Sequence, residues 1–142
     1  METQKTITYN IVDFSQSPGP RYCSQGDDSG EMFYHEVLNK VFADAYSSGS
    51  KLCVNLDGAD GYASSFLDEA FGNLVYDFTA AVVNDKLLII SNDETIWDDM
   101  IKHETIPEWE RRRDEGKSPR KTEKHSSWYR LIDGKLKEDF WE

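Results

Sequence analysis

Ser64 and Ser65 are the residues of this chain best placed to do chemistry. They follow KLCVNLDGADGYA, which reads as a buried strand, Lys51 to Leu56, and a tight acidic loop. Gly58 and Gly61 give that loop its turn geometry. From Ser65 to about Thr79, Leu67, Ala70, Phe71, Leu74, Val75 and Phe78 fall on one helical face. The serines therefore stand at a helix N-terminus, where unpaired amides and the helix dipole favour anions. Ser65 with Asp68 fits a capping box. A hydroxyl here is either a cap or an acceptor for a phosphoryl group. Phosphorylation would add about two negative charges and three acceptor oxygens.

Asp57, Asp60, Tyr62 and Glu69 share this loop and helix start, and with the serines they make the candidate partner-binding group. Asp68 and Glu69 beside Asp57 and Asp60 are oxygen ligands of the type hard cations take. Their spacing fits no calcium loop, and a solvated acidic rim is the plainer reading. Arg21 is one of five basic residues among the first hundred. It is placed to pin the loop by an ion pair with Glu69 or Asp57, or else to hold a phosphate. Glu69 and Asp57 are also the pair that an acid/base enzyme would use.

The elements that must position these groups alternate in type. Thr6 to Phe14 reads as a strand, and Ser15 to Asp28 as a loop, with a short strand possible at Arg21-Tyr22-Cys23. Asp28 with Glu31 forms a second capping box. The helix after it carries Phe33, Val37, Val41 and Ala45 with Tyr34, Leu38 and Phe42 alongside, and ends at Gly49. Lys86 to Ser91 is another buried strand, and a third helix is expected from Asn92 or Asp93. This order implies a parallel or mixed sheet with helices packed on it. Beyond residue 105 the character changes. Pro107 can open a new helix, EWERRRDEG reads as a solvated one, and residues 116–127 read as a linker. Asp133-Gly134 suits the turn of a hairpin spanning Trp128 to Trp141, with Trp128, Tyr129, Phe140 and Trp141 as its contacts. The expected division is a domain over 1–105 and an extension over 106–142.

Composition narrows the function. The net charge is −11, and residues 1–100 hold 17 acidic against 5 basic side chains. Such a surface repels nucleic acid and suits a basic protein partner, or simply solubility. No apolar run is long enough to span a membrane, and METQKTITYN lacks the core of a signal peptide, so a cytoplasmic location is expected. Cys53 sits inside an apolar strand and Cys23 in a loop. No His or Cys stands at ligand spacing from either, so neither a metal nor another cofactor is expected. The histidines His35, His103 and His125 lie on separate segments.

Ala63-Ser64-Ser65-Phe66 occupies the place where STAS domains of anti-sigma-factor antagonists carry Asp-Ser-Ser-Gly after a strand and loop. Ser64 through Gly72, SSFLDEAFG, resembles more closely a STAS-like family of unknown function. Gly19, Arg21 and Tyr22, then Ser29, Gly30, Glu31 and Phe33, fit that family's upstream pattern. The resemblance spans roughly residues 5 to 102. It implies an α/β fold, a STAS-like mixed sheet of four to five strands with helices packed on it, plus a C-terminal extension. By the same resemblance the chain is a regulatory protein–protein interaction module and not an enzyme. Ser64 is then the phosphorylated serine, and the partner is a histidine-kinase-like ATPase acting as a serine kinase. A different reading rests on charge: an acidic inhibitor that occupies the basic, nucleic-acid-binding surface of a partner.

Overall fold

The structure, a computed structural model, describes residues 5–140. Three strands, β1 (Thr6–Asn10), β2 (Lys51–Asn55) and β3 (Leu87–Ile90), form a parallel sheet in that order. Register aligns Ile7, Leu52 and Leu87 in one row and Tyr9, Val54 and Ile89 in another, and both rows face the core. The opposite rows, Thr8, Cys53, Leu88 and Asn10, Asn55, Ile90, include the exposed Leu88 and Ile90. β1 is shorter than expected, because the chain turns into a 3-10 segment at Ile11–Asp13.

Helix α1 begins at Gly30–Phe33, widens into a π-helical turn at Tyr34–Leu38 and continues as Asn39–Ser47. Its cap is Ser29, whose Oγ accepts from the Met32 amide at 3.0 Å, and not Asp28. Asp28 has a φ of +52° and accepts the Ser15 hydroxyl at 2.7 Å instead. The π turn carries one extra residue and rotates the apolar stripe. Tyr34, Leu38, Phe42 and Ala45 are buried, while Val37 and Val41 are only partly so. At the far end Gly49, φ +70°, closes the helix, and the Ser50 amide returns to the Ala45 carbonyl at 2.8 Å. The stretch Arg21-Tyr22-Cys23 is not a strand. It leads into a 3-10 turn, Cys23–Gln25, inside a loop closed by bonds from Gly30 to Pro20 and from Glu31 to Arg21.

Helix α2 (Ser64–Phe78) presents Phe66, Leu67, Ala70, Phe71, Leu74, Val75 and Phe78 to the core. A sharp joint at Thr79, φ +76°, leads into a short helix that the sequence did not show, α3 (Ala80–Lys86), with the Thr79 hydroxyl on the Val82 amide. The last helix, α4, starts at Ile96, later than expected. It runs as Ile96–Met100, a π-helical Ile101–Thr105 and Ile106–Asp114. The expected break at Pro107 is absent. The widened turn lies directly before the proline, which has no N–H to give to the helix ladder.

α4 packs on α2 where Gly72 leaves room: a Cβ there would meet the Trp109 ring at 2.0 Å. Trp109 and Ile106 are buried, so the charged stretch is solvated on one side only. It carries ion pairs from Arg111 to Glu108 and Glu115. The fold class is α/β as expected, and the five strands are divided between two sheets. β4 (Trp128–Ile132) and β5 (Lys135–Asp139) form a separate antiparallel hairpin. Its turn residues Asp133 and Gly134 both have positive φ, as a type I′ turn requires.

The hairpin lies on α1 and α2, not on the sheet edge. Asn39 donates to the Tyr129 carbonyl and accepts its amide, each at 2.8 Å. Arg130 pairs with the buried Asp77 at 3.1 Å. Trp128 and Leu131 are buried, and Leu131 joins the same core as Ile106 and Trp109. Phe140 is exposed, and Trp141 lies outside the described residues. Among the described residues no helix is long and apolar enough to cross a membrane.

Candidate functional site

Ser64 and Ser65 are the first two residues of α2, not its cap. The cap position is Ala63, with no side-chain bond, and Asp68 closes no capping box. Asp68 instead accepts from Arg21 at 2.8 Å. Ser64 is exposed and Ser65 half-buried, and neither hydroxyl makes a hydrogen bond among the described residues. Ser64 opens onto a cleft of about 400 Å³ between α2, α4 and the loop that carries Arg21. Asp68, Glu104 and Glu108 line the cleft with Met100 and Thr105. The Thr105 hydroxyl is buried without a partner among the described residues. The cleft thus joins the positive end of a helix to three carboxylates.

Arg21 bridges Asp68 and Glu69, with its Nη1 at 2.8 and 3.1 Å from the two carboxylates. Asp57, the other partner considered for it, faces elsewhere. It accepts from the Asp93 amide at 2.9 Å and the Asn92 side chain at 3.1 Å, tying the β2–α2 loop to the loop after β3. Asp60 accepts from Gln16 and Ser17, which hold its carboxyl below the usual range. Tyr62 donates to the Leu56 carbonyl at 2.5 Å, and burial, with Asp57 nearby, raises its phenol. Glu69 is buried beneath the cleft. Burial raises its carboxyl despite hydrogen bonds from Asn73 and Arg21. The candidate residues therefore separate into an exposed serine edge and a set of loop-pinning contacts behind it.

A second constellation has no counterpart in sequence spacing. Glu31, the second residue of α1, is buried and accepts from the Cys23 amide, the Thr122 amide and the Thr122 hydroxyl, at 3.1, 2.9 and 2.6 Å. Its Oε2 also lies 2.5 Å from His125 Nε2. Burial alone would raise this carboxyl, but the His125 and Thr122 bonds prevail and bring it down to about 2. His35 stacks on His125 with ring centroids 4.1 Å apart. Desolvation, with His125 beside it, drops His35 to about 2. Cys23 accepts from the Ser29 hydroxyl at 3.2 Å, and burial pushes its thiol up to about 11. Glu31 and His125 are 94 residues apart, too far for any motif to link them. The one local sign was a glutamate inside an otherwise apolar helix start.

Comparison with known proteins agrees with the fold. Residues 29–97 match the family described as a STAS-like domain of unknown function (DUF4325). The match takes in Glu31, Ser64, Ser65 and Glu69, and leaves Arg21, Cys23, His125 and the hairpin outside it. No curated protein and no solved structure matches the chain.

Proposed function

We propose that this chain is a regulatory protein–protein interaction module whose contact surface is the start of α2, switched by phosphorylation of Ser64. The observation that carries this reading is the free Ser64 hydroxyl, exposed at the first residue of a 15-residue helix. A capping serine would have its oxygen occupied by a backbone amide, and this one does not. The phosphoryl group would come from ATP bound to a kinase partner, the histidine-kinase-like ATPase that the STAS resemblance implies. It passes to Ser64 Oγ as the hydroxyl proton is lost and ADP leaves.

Once attached, a dianion lies close to Asp68, Glu104 and Glu108, which repel it, and to Arg21, which attracts it. The phosphate competes with Asp68 for that guanidinium. The surface offered to a partner changes in charge and in the position of the Arg21 loop. In this reading the protein acts by being bound, with no turnover of its own.

The test compares wild type, Ser64→Ala and Ser64→Asp in pull-downs from the native host, with mass spectrometry of the Ser64 peptide. Ser64→Asp is expected to lose the partner that the other two retain, with a thermal midpoint nearly unchanged because no bond is removed. Retention of that partner by Ser64→Asp sinks the reading. The acidic-inhibitor alternative draws on the three carboxylates of the cleft. It requires that binding fall steeply as salt rises.

A further inference from the structure

Cys23, Glu31 and His125 come from three separate stretches: a loop, the start of α1 and the segment before the hairpin. Yet Sγ, a carboxylate oxygen and a ring nitrogen lie within 4.8 Å of one another. Thiolate, carboxylate and imidazole are the ligand types of tetrahedral zinc. All three side chains are shielded from water: Cys23 is 8% and Glu31 1% exposed, and the His125 side chain 6%.

A second observation comes from His35. It is 1% exposed and stacked on His125, and neither of its ring nitrogens has a partner among the described residues. Native interiors rarely leave such groups unpaired, because each costs roughly 1–3 kcal/mol. Stacked parallel on His125, His35 braces that ring, and the three shielded ligand atoms that converge beside it are what a cation would account for.

We propose that Cys23, Glu31 and His125 form a zinc-binding site, with a water molecule completing the tetrahedron. The choice of metal follows from the donors. Calcium and magnesium take oxygen ligands almost exclusively, and this cluster offers one carboxylate beside sulfur and nitrogen. On binding, the Cys23 thiol loses its proton to solvent and the thiolate sulfur bonds the metal. His125 gives a lone pair as neutral imidazole. The two negative charges of Cys23 and Glu31 balance the dication.

Hydrogen bonds already present would hold the ligands in place: Ser29 to Cys23 Sγ, and the Thr122 amide and hydroxyl to Glu31. The ion would clip the segment around His125 to the loop and helix start where the STAS-like domain begins. It would stabilise the folded chain by closing a long loop.

The test titrates the full-length protein with zinc against a chromogenic chelator, and with cobalt(II) followed by absorption. One zinc per chain is expected. Cobalt should give the intense visible bands of a tetrahedral site and a near-ultraviolet thiolate charge-transfer band. Cys23→Ser should abolish the charge-transfer band. His125→Gln should weaken zinc binding by more than the roughly 10–100-fold typical of an outer-shell loss. His103→Ala, altered at an exposed histidine elsewhere, should bind as wild type does. Absence of stoichiometric zinc uptake by the wild type overturns the proposal. So does uptake that survives unchanged in both Cys23→Ser and His125→Gln. Should either variant lose its fold by circular dichroism, the wild-type cobalt spectrum decides: a charge-transfer band supports the site, and an octahedral spectrum without one refutes it.

Discussion

Glu31 and Glu69 are equally deep, each 1% exposed, yet their carboxyl groups move in opposite directions. Glu31 takes hydrogen bonds from backbone amides, a threonine hydroxyl and His125, and drops well below the ordinary range. Glu69 has the Asn73 amide and a share of Arg21, and burial keeps it above that range. Depth alone does not set the sign. The count and quality of donors around the charged form do. The comparison also separates two roles: Glu31 gathers a distant segment onto α1, whereas Glu69 backs a half-exposed arginine at the edge of the cleft.

The largest test of that contrast is truncation. Glu31→Ala leaves donors from two distant segments, the Cys23 loop and the stretch from Thr122 to His125, without an acceptor and is expected to cost about 3–5 kcal/mol. Glu69→Ala leaves Arg21 with Asp68 and with water, and should cost about 1–2 kcal/mol. Urea denaturation of both variants checks this, and equal losses would erase the distinction.

The next test uses pH. Glu31 has a lowered pKa, so its contribution is fully present above the ordinary glutamate value and is lost as pH falls towards 2. Glu69 has a raised pKa, so its protonation favours the folded state as pH falls, and that gain is lost as pH rises through the raised value. Glu31→Gln should therefore flatten the acid loss of stability, and Glu69→Gln should steepen it. Thermal midpoints measured across the acid range would show the two slopes. Slopes changing in the same sense would contradict the assignment.

The smallest test removes single donors. Asn73→Ala should cost roughly 1 kcal/mol, because Glu69 has few partners to spare. Thr122→Val should cost less, since the Glu31 carboxylate keeps the Thr122 and Cys23 amides and His125. Paired thermal melts that reverse this order would show that donor number is not what distinguishes the two sites.

Sequence patterning reveals what repeats locally and hides what depends on distance. The core face of α2 and the central strand follow from runs of apolar residues whose period needs no partner. The hairpin follows from Asp133-Gly134, whose backbone preference is intrinsic. Caps are harder, because Asp28 and Ser29 are both good capping residues and only the loop closed by Gly19 and Asp28 selects the second. The stripe on α1 was read with a fixed helical period, which the π turn at Tyr34–Leu38 breaks. EWERRRDEG reads as solvated because one tryptophan is a weak apolar signal. Its burial depends on the bare backbone of Gly72, 37 positions earlier in the chain. On the serine side, residue type and position were legible, and the vacant cap was not. The Glu31 cluster left only the sign of a glutamate at an apolar helix start, since its members meet only once the chain has folded back.

The reach of that fold-back bears on how the molecule is made. A ribosome delivers the start of α1 long before it delivers His125, 94 residues downstream of Glu31. Until then the glutamate has neither the Thr122 nor the His125 donors that offset its burial, and water remains its better solvent. The nascent domain can assemble its sheet and α2 early, but the N-terminal turn of α1 stays loosely seated until the last stretch emerges. A chain stalled or cut just short of that stretch would expose this corner to proteases, even with the rest of its interior formed.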